Sequence, residues 1–539
     1  MDTTKFDLIL KNGTIVDTLK RLTYIADVGI KDGVIKRIGS ISGENEIDCT
    51  GKYVAAGFIN AHVHIESSMA MPSEYGRAVI KRGTTSVISD PHEIVNVKGA
   101  EALDEFIKMC EDAPINIYTV VPSCVPATPF DTNGAGCFTA DDMKPFVHRK
   151  GVVGLGEVMS CGEVIDGNPS MTAKLELFKD KTIDGHAIGM TPEEMKIYAN
   201  AGISNDHECN SYEDVKMRLD AGLRVYIREG SACKAVTPII KNILEDKADI
   251  NSFAFCTDDK HLKDIEEEGD IDFCVRKAIA LGMSPLDAFT IASLNPAEFY
   301  KLGNVGAVAE GYAADLIIID SLGDFKVLNV IKNGRLYIDD ATKTPYIPDS
   351  LKNTVILGDI DESKINPRDD IAIRLIPNTV LTERETPDKS GTIAVVAERH
   401  GKNGNVASCY VNGYGIKNGA VAVSVAHDSH NSVTVGDTKK SICVALNRLK
   451  EIGGGLVVVK GDKVVGELAL SIGGLMSELK YEKIIEKSEK IYKVARELGI
   501  NNLGIDPFLT PSFISLPVIP HIRLLDTGLF DVDTMRLMK

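Results

Sequence analysis

The stretch AAGFINAHVHIESSMAMPSEYG, residues 55–76, decides how the chain is read. It sets His62 and His64 one residue apart after an apolar, small-residue run, in a chain with only 11 histidines among 539 residues. On a strand, residues i and i+2 point to the same face. The pair therefore presents two imidazoles side by side where a strand gives way to polar chain. This is a metal-binding arrangement, and it needs partners from elsewhere.

Downstream, β-like runs alternate with helical ones. Candidate strands are GFINAHVH (57–64), TTSVISDPHE (84–93), NIYTVVPSC (116–124), GVVGLGEVMS (151–160), TIDGHAIG (182–189), GISNDHEC (202–209), RVYIREGS (224–231) and SFAFCTDD (252–259). Helical segments such as MPSEYGRAVIKRG, GAEALDEFIKMCEDA, TPEEMKIYANA and SYEDVKMRLDAG separate them. Eight such units in about 250 residues have the size and rhythm of a (β/α)8 barrel.

The flanks differ. FDLILKNGTIVD and ADVGIKDGVIKRIG carry hairpin signals at Asn12-Gly13 and Asp32-Gly33, and GYAADLIIIDSLGDFKVLNVIKNGRLY returns to the pattern with Asn333-Gly334. The expected architecture is α/β. A small β-sandwich domain comes from both flanks (1–54 plus 301–360), the barrel spans 55–300, and a C-terminal α+β domain spans 361–539. That last region enters through KINPRDD, carries runs such as GTIAVVAER and AVAVSVAH, and has no phosphate-binding or redox motif. Its Lys/Glu-rich stretch near 478–497 reads as an amphipathic surface helix. The acidic run DIEEEGDID (264–272) reads as a solvated helix start or loop.

Composition narrows the function. Acidic residues number 77 against 60 basic ones, a formal net charge of −17, which argues against a nucleic-acid-binding surface. No apolar run is long enough to span a membrane, and the N-terminus lacks the pattern of a signal peptide. The 11 cysteines are scattered without a C-x-x-C pair and fit buried, reduced thiols, so a cytoplasmic protein is expected.

In a (β/α)8 barrel the chemistry sits at the C-terminal ends of the strands. Those ends carry His62 and His64, then Asp90 with His92 and Glu93 beside it, Glu157, His186, His207, and Asp258 with Asp259. Singly, each has an ordinary structural alternative: a core histidine, a helix-start cluster, a buried ion-pair partner. Together, in barrel order, they read as a site for two divalent metals. His62, His64 and Asp258 would hold one, His186 and His207 the other, with Glu157 between them. Such metals lower the pKa of a bound water to around 7, and Asp258 can accept its proton and pass it to a leaving group. Spacing alone leaves Asp258 and Asp259 open. Arg228, Glu229 and Ser231 are substrate-pocket candidates by strand-end position. His427 and His430, in VAHDSHN, would ligate a metal, line a pocket or lie in a polar loop.

The flanking β segments, GFINAHVHIESS and the GYAADLIIID return resemble the amidohydrolase superfamily. More narrowly, HVHIESSM, TTSVISDPHEIVNV, GEVM, NDHEC, CTDDKH, VAHDSHN, IGGLMS and DPFLTPSFISLPVIP resemble the prokaryotic adenine deaminases, over nearly the full length. The resemblance implies hydrolysis of adenine to hypoxanthine and ammonia in purine salvage, by a metal-activated hydroxide attacking C6. It implies two divalent cations, Mn2+ or Fe2+, on His62, His64, Glu157, His186, His207 and Asp258. Glu157 stands where many superfamily members have a carboxylated lysine. Asp258, Glu157 and Asp90 are the carboxylates available for proton transfer. The expected partners are adenine and water, with no nucleic acid or membrane, in a homo-oligomer. Rival readings are another amidohydrolase, such as a cyclic-amide hydrolase or a different nucleobase deaminase, and a non-catalytic barrel used in assembly.

Overall fold

The computed structural model describes residues 5–500 and 504–538. Eight parallel strands form the centre: Phe58–Val63, Thr84–Ser89, Asn116–Val121, Val152–Val158, Thr182–Gly185, Asn205–Asp206, Arg224–Arg228 and Phe253–Cys256. They coincide with the eight candidates read from the sequence. The first five pair in order as one ladder, and the last three as another. The ladders meet at both seams. Asp258 N–H donates to the His62 carbonyl at 3.0 Å, and Ser204 N–H to the Ile183 carbonyl at 3.0 Å. The sheet thereby curls into a TIM-like barrel.

Several of these strands, such as Thr84–Ser89 and Phe253–Cys256, are buried at every position, as a parallel sheet covered on both faces requires. The helices between them start where the sequence supplies caps. Thr191 and Glu194 form a reciprocal capping box at Pro192–Asn200, and Ser211 and Asp214 do the same at Tyr212–Asp220. In the acidic run 264–272, Asp270 and Asp272 are buried rather than solvated, and Asp270 accepts from the Thr84 hydroxyl at 2.6 Å.

Both flanks join one mixed eight-stranded sheet, with Tyr53–Ala56 between Leu8–Asp17 and Leu316–Ile319. Asp32-Gly33 and Asn333-Gly334 are two-residue hairpin turns with positive φ at both residues. Asn12-Gly13 is a bulge within one strand instead of a turn. The bulge lets Ile9–Lys11 pair with Glu46–Asp48 while Thr14 and Ile15 pair with Tyr53 and Val54.

The C-terminal region contains a second eight-stranded sheet between Ala372 and Ala469, with helices Lys439–Glu451 and Tyr481–Glu497. The latter buries Tyr481, Ile484, Ser488, Ile491 and Ala495 at helical spacing, as expected of an amphipathic helix. Val355, Leu357, Ile360 and Ile365 pack into this region's core. The region docks on the barrel through polar contacts. Arg77 reaches Glu482 at 3.0 Å, and Asp526 accepts from the Thr132 amide at 3.0 Å and its hydroxyl at 2.7 Å. No helix among the described residues is long and apolar enough to cross a membrane.

Candidate metal centre and active site

The alternation of the first strand and the barrel's closure bring the strand ends to one point. His64 Nδ1 lies 2.9 Å from the Asp90 carbonyl oxygen, an acceptor, so this nitrogen carries the proton. In the neutral ring Nε2 is then a bare lone pair, and it faces His62 Nε2 at 3.1 Å. His62 and His207 stack at 4.1 Å.

Glu157 is the hub. Its Oε1 lies 3.3 Å from His64 Nε2 and 3.3 Å from His92 Nδ1. Its Oε2 lies 2.6 Å from His186 Nδ1 and 3.3 Å from His207 Nε2. Each carboxylate oxygen is thus shared between two imidazoles. Burial pushes the carboxyl pKa up, but the histidines, His186 foremost, hold it well below the usual carboxylate range. Asp258 behaves alike. Burial opposes its charge, while Arg228 and His64 keep it ionised.

Asp258 Oδ1 lies 3.1 Å from His64 Nε2 and 3.8 Å from His62 Nε2. Oδ2 accepts from Arg228 at 2.5 Å, and the same guanidinium forks onto Glu208 at 2.6 and 2.8 Å. Asp258 holds a left-handed backbone, φ 56°, unusual for a non-glycine residue. Asp259 turns aside and accepts from the Ser67 hydroxyl.

Asp90 acts on this centre from behind. Its Oδ2 accepts from Glu157 N–H at 2.9 Å and its Oδ1 from His92 N–H at 3.2 Å. A Cβ at Gly156 would lie 2.3 Å from Asp90 Oδ2, so the glycine of GLGEV makes room for the carboxylate.

The donor set fits divalent cations. His62 Nε2, His64 Nε2, His207 Nε2 and His186 Nδ1 converge on the carboxylates of Glu157 and Asp258. His62/His64/Asp258, His62/Glu157/His207, His64/His92/Glu157 and His186/His207/Glu208 each bring three ligand atoms within 4.8 Å of one another. Neutral imidazole nitrogen and carboxylate oxygen suit first-row divalent metals. His92, Glu93 and Asp428 meet the same criterion, but Glu93 is already committed to His427 and His430.

Residues 53–337 match the amidohydrolase family, whose members are metal-dependent, and residues 377–536 match the adenine deaminase C-terminal domain. The chain is 38% identical to an adenine deaminase of Desulfitobacterium hafniense (strain Y51), over 99% of this chain and 96% of that one. It is 39% identical to an adenine deaminase of Halalkalibacterium halodurans, over 98% and 94%. It is 37% identical to one of Clostridium acetobutylicum, over 98% and 97%. The chain belongs to the adenine deaminase family.

In this member of the family a cavity of about 1570 Å³ opens over the centre. The barrel lines it with His64, Glu157 and Asp258, and the C-terminal region with His427, Asp428 and Phe513. Of the three pocket candidates, Arg228 and Ser231 reach it. Ser231 accepts from His261 N–H at 2.9 Å and donates to Asp264. Glu229 does not line it. Its side chain turns outward to Lys277 at 2.6 Å and to Val236 N–H at 3.1 Å. Alternation along Arg224–Arg228 explains this, since the residue after an inward Arg228 faces the other way. His92 and Glu208 were not among the expected ligands, and the structure brings both into the metal-capable groups. Both adjoin predicted site residues, which was the available signal.

Proposed function

We propose that the chain hydrolyses adenine to hypoxanthine and ammonia in this cavity, using the strand-end cluster as its metal centre. The observation that carries the reading is Glu157, whose two carboxylate oxygens are shared by four imidazoles at the mouth of the barrel. Full-length similarity to adenine deaminases supplies the substrate class.

His62, His64, His186, His207, Glu157 and Asp258 would hold two divalent cations, with Mn2+ or Fe2+ the proposed occupants. Cations there supply a water that is nucleophilic at neutral pH and offset negative charge developing on the substrate. Asp258 accepts a proton from that water at Oδ1, while Arg228 on Oδ2 keeps it aimed and ionised. As the C–O bond forms at C6, the C6–N1 π pair moves onto N1. Asp258 passes the proton to the exocyclic nitrogen, and the N1 pair re-forms the double bond as the bond from C6 to that nitrogen breaks to release ammonia. The resulting 6-hydroxypurine tautomerises to hypoxanthine. Asp90 is a positioning residue, since it holds the Glu157 and His92 backbones. The proposed division of the chain is a flank domain (1–54 with 301–360), a barrel (55–300) and a C-terminal domain (361–539). The segment from Val355 belongs by its packing to the last of these.

The test is Asp258→Asn, assayed on adenine alongside adenosine, cytosine, guanine and hydantoin. The reading expects wild-type turnover of adenine over the others, and loss of turnover in the variant with metal content retained. Near-normal turnover in the variant would remove Asp258 from the proton path.

A further inference from the structure

The loop after Gly419–Val423 enters the cavity from the C-terminal region and carries His427. This side chain is only 5% exposed, and its Nδ1 lies 2.5 Å from Glu93 Oε1. Its ring stacks on Phe513 at 4.7 Å and 17°, and its amide donates to the Ser512 carbonyl at 3.1 Å. Orientation and tilt are therefore both fixed.

Glu93 is itself held. His430 Nδ1 accepts from Ala426 N–H at 3.1 Å, so in the neutral ring the proton sits on Nε2, which faces Glu93 Oε2. His430 is thus a support for Glu93. With Nδ1 of His427 donating to the same carboxylate, one polar atom is left over. His427 Nε2 has no protein partner among the described residues, and its ring lines the cavity that holds His64, Glu157 and Asp258.

We propose that His427 is a substrate-contacting residue, whose Nε2 hydrogen-bonds a ring nitrogen of the purine, so that the C-terminal domain takes part in recognising the base. The proposal rests on the adenine reading above. A purine base is a flat ring with lone pairs at N1, N3 and N7, and a fixed donor at the pocket wall is the group that reads one of them. Burial opposes charge on His427, but Glu93 outweighs it and raises the imidazole to about 9, so Nε2 is a donor at neutral pH. Asp259 and Asp428 favour the charge further. A hydrogen bond from a charged donor also loses more when its acceptor is deleted than a neutral one does.

The test pairs the residue with the substrate atom. Binding of adenine and of its 1-, 3- and 7-deaza analogues, each lacking one ring nitrogen, is measured on the metal-loaded full-length protein. Wild type, His427→Phe and His427→Gln are compared, with metal content and thermal unfolding checked for each. In wild type one analogue is expected to bind on the order of tenfold weaker or more. In His427→Phe that penalty disappears, and His427→Gln, which keeps a donor, restores part of it. Equal penalties for all three analogues in wild type and His427→Phe would overturn the proposal, as would the absence of any penalty in wild type. Should His427→Phe fail to fold, Glu93→Gln leaves the ring in place and must shrink the same penalty. A wild type that releases no ammonia from adenine overturns the functional reading by itself, before any variant is compared.

Discussion

The barrel strand ends and the loop carrying His427 supply histidines to the same cavity by different physical means. The strand ends are set by a parallel ladder whose bonds hold each residue from both sides, so His62, His64, Glu157 and Asp258 converge through backbone geometry. His427 arrives through docking, and its position depends on Glu93, Phe513 and the polar latch at Thr132 and Asp526. The difference separates two kinds of failure. Damage to the first region should abolish the chemistry, and take the metal with it where the shared carboxylate is lost. Damage to the second should loosen substrate binding while the metal centre stays intact.

The largest effect tests the first half of that contrast. Glu157→Ala deletes the shared carboxylate and should lower kcat/KM by more than the roughly 100-fold typical of outer partners, with metal lost in elemental analysis. Metal retained at the wild-type level would break the account of Glu157 as the hub. Next is Asp90→Asn. It keeps the shape but weakens the acceptor for the Glu157 and His92 amides, and a loss of about 10- to 100-fold in activity or metal affinity is expected.

The second half is tested at the latch. Asp526→Ala leaves the Thr132 amide and hydroxyl without their acceptor, so unfolding stability should fall by about 1.5–3 kcal/mol. KM for adenine should rise with metal content unchanged, as a titration of the purified variant would show. A loss of metal instead would mean that the two regions are not separable. The smallest effect is at Phe513→Leu, which removes the stack behind His427. Aromatic pairs of this kind contribute about 0.5–1.5 kcal/mol, so KM should rise severalfold with little change in kcat.

The contrast also explains what could be read from the chain. The eight strands are short apolar runs whose polar ends carry the site, and both features survive in a single sequence. Parity within a strand was informative enough to place His62 with His64, and it excludes Glu229, one residue beyond Arg228. It fails past the strand ends, where His92 and Glu208 sit on chain that no longer alternates. Asn12-Gly13 shows a second limit. The dipeptide that makes a hairpin at Asn333-Gly334 makes a bulge here, because the strand continues to new partners on both halves. Local reading left His427 open between metal ligand, pocket lining and polar loop, and the fold puts it in the cavity lining. Its neighbour Glu93 is 334 positions away, and nothing near VAHDSHN announces that contact.

The most direct measurement titrates metal-free protein with Mn2+ or Fe2+ and follows ammonia and hypoxanthine from adenine, beside a chelated control. The account expects activity to rise with bound metal and to level at about two per chain, as a binuclear centre requires. Deamination by the chelated protein, or metal bound at that level with no ammonia released from adenine, would contradict it.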